Sequence, residues 1–93
     1  MASIVRHDAD GSRYELVVDD EVTGVADYED EGDVLVFFHT EVDPERRGKG
    51  LGSTLVQGAL DDVRRSGRTI VARCPFVAHF LDEHPEYRDL VSS

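Results

Sequence analysis

Ninety-three residues with a formal net charge of −10 make one small domain that can bury a single core with little margin. No run of about 20 apolar residues is available to cross a bilayer. The lone cysteine, Cys74, and the scattered His7, His39, His79 and His84 exclude an intramolecular disulfide and give no metal-ligand spacing.

The charge is uneven. Residues 1–45 hold 14 Asp and Glu against Arg6 and Arg13, a net of −12, while residues 46–93 hold 6 acidic and 8 basic residues, a net of +2. An acidic half of this kind repels nucleic acid and attracts a cationic partner; it equally serves solubility. The N-terminus turns acidic within eight residues and has no apolar signal region, so a cytoplasmic protein is expected.

Ile4 to His7 reads as a short strand, followed by a turn from Asp8 to Ser12. Arg13 to Val18 alternates, with Tyr14, Leu16 and Val18 on one face and the other face wet. After Asp19-Asp20-Glu21, a weaker strand from Val22 to Tyr28 is interrupted by Gly24. The turn at Glu29 to Asp33 leads to the strongest strand, Val34 to Val42, whose apolar start suits a central strand covered on both faces. Turns this short imply antiparallel neighbours. A helix from about Gly50 to Arg65 aligns Leu51, Leu55, Val56, Ala59, Leu60 and Val63 in one stripe, and Ser66-Gly67 ends it. Thr69 to Cys74 is the next strand, which completes a right-handed βαβ unit with parallel strands. Pro75 suits the first turn of a second helix running to Glu83, Pro85 breaks it, and Tyr87 to Val91 can form one last turn. No linker or repeat divides the chain, so residues 1–93 form a single domain.

The segment Pro44-Glu45-Arg46-Arg47-Gly48-Lys49-Gly50-Leu51-Gly52 lies between the strongest strand and the main helix. Unpaired N–H groups and the dipole make a helix start an anion site, glycines let a ligand approach the backbone, and three cations add charge. The P-loop pattern fails, because Asp43 replaces its first glycine and Gly50 its Ser or Thr. The dinucleotide fingerprint fails at Ser53. The pattern [QR]-x-x-G-x-[GA], read as Arg47-Gly48-Lys49-Gly50-Leu51-Gly52, fits, and it resembles the acyl-CoA pyrophosphate loop of the GNAT acyltransferases.

With His39-Thr40-Glu41-Val42, Cys74-Pro75-Phe76-Val77 and His84-Pro85-Glu86-Tyr87 in the same order, nearly the whole chain resembles the minimal GNAT-like acetyltransferases. The resemblance implies an abbreviated α/β GNAT fold: antiparallel strands, then a βαβ unit with splayed parallel strands and a C-terminal helix. It implies acetyl-CoA as cosubstrate and no metal, with Arg46, Arg47, Gly48, Lys49, Gly50, Leu51, Gly52 and Phe76 at the cofactor and the pantetheine arm beside Thr40, Glu41 and Val42. It points to His39 and Cys74, at the ends of the splayed strands, as the active site. A histidine beside a cysteine makes a thiolate or relays a proton, whereas a lone cysteine at a strand end is more often a small buried hydrophobe. Glu41 is an alternative general base. Many GNAT enzymes carry a tyrosine that protonates the leaving thiolate; here Leu81 stands in its place. Two functions follow: transfer of an acetyl group to a primary amine (a lysine side chain, an N-terminus or a polyamine), or CoA binding without turnover. Neither a nucleic-acid nor a membrane partner is expected, and the oligomeric state is open.

Overall fold

Short turns lay the first four strands side by side as an antiparallel meander. The computed structural model describes residues 3–46 and 50–92. Strands β1 (Ser3–Asp8), β2 (Arg13–Val18), β3 (Glu21–Asp30) and β4 (Val34–Val42) lead through a 3-10 turn (Pro44–Arg46) to helix α1 (Leu51–Ser66). Strand β5 (Thr69–Ala72), helix α2 (Pro75–Glu83) and a 3-10 segment (Pro85–Leu90) complete the order. The sheet runs β1-β2-β3-β4-β5, and β5 is parallel to β4. The β2–β3 hairpin closes on Asp19 and Asp20, with φ of 50° and 68°, the left-handed pair that a tight hairpin with matching twist requires.

Both helices pack on one face of the sheet. Tyr14, Leu16, Val18, Ala26, Tyr28, Leu35 and Phe37 form a single cluster with Leu55, Leu60 and Val63 of α1 and Val77, Phe80 and Leu81 of α2. Val17 and Val36 are buried but lie outside this cluster; strand alternation puts them on the second face. Two expectations are corrected here. Among the described residues no helix covers the second face of β4, where Phe38 is 48% exposed. And the face of β2 expected to be wet is closed, because Arg6 (2.7 Å) and Arg13 (3.4 Å) bracket the Glu15 carboxylate from either side, leaving Glu15 only 8% exposed. Long side chains do there what a helix layer does elsewhere.

The C-terminal segment is tied down more firmly than its composition suggests. Arg64 pairs with Asp89 at 2.7 Å and lies over the Tyr87 ring at 5.7 Å. Val91 then bridges in parallel to Ile70, and the Ser92 N–H donates to the Ile70 carbonyl at 2.8 Å. The tail thus covers the outer edge of β5, which protects an otherwise open strand edge.

All three tyrosine hydroxyls are engaged. Tyr14 donates to Asp62 at 2.6 Å, Tyr87 donates to Asp61 at 2.7 Å, and Tyr28 shares a 2.6 Å hydrogen bond with His7. Burial, and for Tyr14 and Tyr87 the carboxylate partner, raises all three above the ordinary phenol value, Tyr87 to about 12. A group held protonated by the fold contributes stability that is full below its unfolded pKa, 10.0, and is lost as pH climbs through the folded one. We therefore expect tyrosinate absorbance of the native protein at pH 10 to fall well short of the half-ionised level of a free tyrosine. The urea midpoint should drop as pH rises from 10 toward 12. Half-ionised tyrosines in a still-folded chain at pH 10 would contradict these hydrogen bonds.

Candidate active site

Strand β4 outruns its parallel neighbour. Pairing with β5 ends at Phe37↔Ala72, while β4 continues to Val42 against β3 alone. The Phe37 carbonyl accepts the N–H groups of both Arg73 (2.9 Å) and Cys74 (3.0 Å), which turns the chain away into α2. Pro75 at the first position of α2 lacks an N–H. The edge of β4 beyond Phe37 therefore faces a cleft instead of a strand, at the carboxyl ends of the parallel pair where ligands settle in open α/β sheets.

The cleft has a volume of about 530 Å³ and is lined by His39, Thr40, Glu41, Val42, Arg46, Gly50, Leu51, Gly52, Ser53 and Phe76. Its second wall is the start of α1. Gly50 is the N-cap with φ 72°, and among the described residues no side chain caps the helix, so its first N–H groups have no partner there. Gly50's carbonyl accepts from the Thr54 N–H and hydroxyl, both at 3.1 Å. Among the described residues a Cβ on Gly50 would meet nothing within 4 Å, whereas one on Gly52 would stand 2.6 Å from the Phe76 ring. The two glycines do different work: Gly50 supplies a left-handed backbone under open space, and Gly52 lets Phe76 lie over the helix start.

Nine of the residues singled out in the sequence thus share one cleft: His39, Thr40, Glu41, Val42, Arg46, Gly50, Leu51, Gly52 and Phe76. Arg47, Gly48 and Lys49 lie outside the described residues. Ser53 was missed; its place in the first turn of α1 is the signal that would have found it. Cys74 does not line the cleft. It is 4% exposed, and its Sγ donates to Thr40 Oγ1 at 3.3 Å. His39 instead meets Glu41, Nε2 to Oε1 3.5 Å, with side chains 50% and 68% exposed. Among the described residues no hydrogen bond joins His39 to Cys74. Strand alternation explains the split: Thr40 and Cys74 turn toward the helices, His39 and Glu41 toward the open face. Leu81 is buried in the core, and no tyrosine lines the cleft.

Among the described residues no group of three or more His, Cys, Asp or Glu could hold a metal ion, and no helix is long and apolar enough to cross a membrane.

The family model described as GCN5-related N-acetyl-transferase matches residues 13–90. No curated protein sequence matches the chain. Among solved structures, a GCN5-like protein from Staphylococcus aureus superposes with a TM-score of 0.72 at 20% identity, covering 97% of this chain and 88% of that one. The ribosomal-protein-S18-alanine N-acetyltransferase of Escherichia coli gives 0.65 at 17% identity over 76% of this chain and 49% of its own. The ribosomal-protein-alanine N-acetyltransferase of Brucella melitensis biovar Abortus 2308 gives 0.58 at 22%, over 87% and 61%. The chain therefore spans between about half and three-fifths of these two enzymes, and at such identities the likeness is one of fold.

The position of Cys74 has a direct consequence. In the native protein it should react with an aromatic disulfide reagent at least tenfold more slowly than in urea, because a reagent must first open the core to reach it. Labelling at the unfolded rate in the folded protein would place the thiol in the cleft instead.

Proposed function

We propose, on the premise that the chain belongs to the GCN5-related N-acetyltransferase family, that it moves an acetyl group from acetyl-CoA to a primary amine. The observation that carries this reading is the cleft between the free edge of β4 and the uncapped start of α1. Its dimensions and chemistry fit a long amide-bearing thioester with a pyrophosphate at one end. The N–H groups of Leu51, Gly52 and Ser53 would take the pyrophosphate at the positive end of the helix, with Arg46 beside them. The exposed edge of β4 from Thr40 to Val42 would pair with the amides of the arm as an added strand does. Phe76 closes the apolar side.

At the reacting end, the amine must lose a proton before it can attack. His39 is the base in this reading, and Glu41 at 3.5 Å orients the imidazole and stabilises its charged form. Both side chains are solvent-exposed, so the proton passes on to water. Thr40 accepts a hydrogen bond from Cys74, which fixes its hydroxyl and leaves the hydroxyl proton free to point into the cleft. In this reading that hydroxyl hydrogen-bonds the departing sulfur, in a site that no tyrosine lines. Cys74 in this scheme positions Thr40 and carries no acetyl group.

One observation favours a second reading, CoA binding without turnover: among the described residues every tyrosine hydroxyl is committed elsewhere, so no phenol serves the leaving group. Thiol release from acetyl-CoA in the presence of simple amines separates the two, since only the first reading produces it.

The anion wall has its own test. Gly50→Val forces a branched residue into φ 72° and crowds the approach to the helix start. Affinity for CoA should fall about tenfold or more, equivalent to about 1.4 kcal/mol, and in the parent protein it should weaken steadily with added salt. Calorimetry that finds a folded Gly50→Val protein binding CoA as before would remove the pyrophosphate from this position.

A further inference from the structure

A second, smaller cavity of about 270 Å³ opens directly beside the cleft and shares Glu41 with it. Its other lining residues are Val22, Thr23, Gly24, Val25, Asp43 and Pro44. Val25 pairs across the ladder with Glu41, and Val22 is half exposed, so the groove has an aliphatic floor. Two carboxylates border it. Glu41 stands between the cavities and contacts His39. Asp43 stays in register because its N–H donates to the Thr23 carbonyl at 2.7 Å, which continues the β3–β4 pairing past the end of β4. Its Oδ1 accepts the Glu45 N–H at 3.0 Å, which fixes the side chain, and among the described residues Oδ2 has no hydrogen-bond partner.

We propose that this groove is the acceptor subsite and that it takes a linear aliphatic diamine or polyamine. The inference rests on the acetyl-transfer reading of the adjoining cleft and names its acceptor. The argument is one of spacing and surface. Glu41 and Asp43 stand two residues apart, about 6.7 Å along the extended chain, the nitrogen spacing of an amine chain with about four methylenes, and the His39 imidazole lies 3.5 Å from the Glu41 carboxylate. Methylenes lie on Val22 and Val25, where taking them out of water is favourable. One ammonium meets Asp43, and the terminal amine comes to Glu41 and the His39 imidazole beside it. There it gives up a proton, its nitrogen bonds to the thioester carbon, and the carbon–sulfur bond breaks to release CoA as the thiolate, which takes up a proton from water. A lysine side chain fills this groove less well: it carries a single cation and brings a peptide backbone where the second ammonium belongs. The net of −12 over residues 1–45 draws a polycation toward this half of the molecule.

The test compares butylamine, putrescine and spermidine as acceptors at saturating acetyl-CoA, followed by thiol release, with calorimetry of spermidine on the CoA complex in parallel. Putrescine and spermidine should show KM values about tenfold or more below that of butylamine. Asp43→Asn keeps the oxygen that accepts the Glu45 N–H and removes the charge; it should erase most of that advantage while CoA affinity stays within about twofold. Equal KM values for butylamine and putrescine would overturn the proposal. So would an undiminished advantage in Asp43→Asn, or a lysine peptide used better than spermidine. If no amine releases thiol but spermidine still binds in an Asp43-dependent way, the acetyl-transfer reading fails and the subsite stands. If spermidine does not bind, the subsite fails whichever amines are turned over.

Discussion

The Phe37 carbonyl receives two N–H groups where a regular parallel ladder would give it one. That doubled acceptance ends the β4–β5 pairing, and the consequences spread from it. Beyond this point β4 keeps a free edge on one side and β3 on the other. The chain leaving β5 turns into α2 and sets Phe76 against Gly52 at the start of α1. Cys74 is drawn down onto Thr40. A backbone hydrogen-bonding edge exposed over several residues is ordinarily a hazard, because it invites another chain to pair. Here it is recessed between two elements and framed by a helix start, so that it faces a narrow cleft in place of open solvent.

Size explains what covers the sheet and what does not. The chain holds one layer of helix, and a two-layer domain needs only one buried sheet face. Tyr14, Leu16, Val18, Tyr28, Leu35 and Phe37 meet the helices and are almost wholly buried. On the other face, burial comes from cross-strand neighbours: Ile4, Val17 and Val22 stand in one row across β1, β2 and β3, and Arg6, Glu15, Val25 and Glu41 in the next. The Arg6–Glu15 and Arg13–Glu15 contacts close part of that surface with side-chain stems. Leaving the remainder open keeps His39 and Glu41 reachable from solvent.

Element order, the βαβ unit and the helix stripe were legible because each depends on local pattern: alternation, 3.6-residue spacing, and Gly and Pro punctuation. The cleft was legible for the same reason, since its two walls are consecutive in sequence. What pattern alone could not show depends on contacts between distant residues. The closed second face of β2 needs Arg6 and Arg13 to converge on Glu15. The parallel bridge of Val91 to Ile70 joins the ends of two elements about 20 residues apart, and nothing in Tyr87 to Val91 announces a strand. The pairing of His39 with Glu41, and not with Cys74, follows from strand phase. A residue slip of one reverses the face, and the bulge in the β3–β4 ladder beside Phe38 resets that phase just before the site.

That bulge links the fold to its chemistry. Without it, His39 and Phe37 would share a face, and the imidazole would point toward Tyr14 and Tyr28 in the core. One extra residue in β4 rotates the strand, so that Thr40 and Val42 continue the helix-side row while His39 and Glu41 emerge on the other. Bulges cluster beside functional sites because they re-aim side chains at the cost of one ladder position. In a domain this small, that displacement separates two jobs along a single strand. The helix-side residues, braced by Cys74, shape the wall of the cleft, and the open-face residues present an imidazole and a carboxylate to solvent. An acceptor arriving across the open face and a thioester lying along the free edge would then meet at β4 from opposite sides of the sheet, with no further domain needed to bring them together.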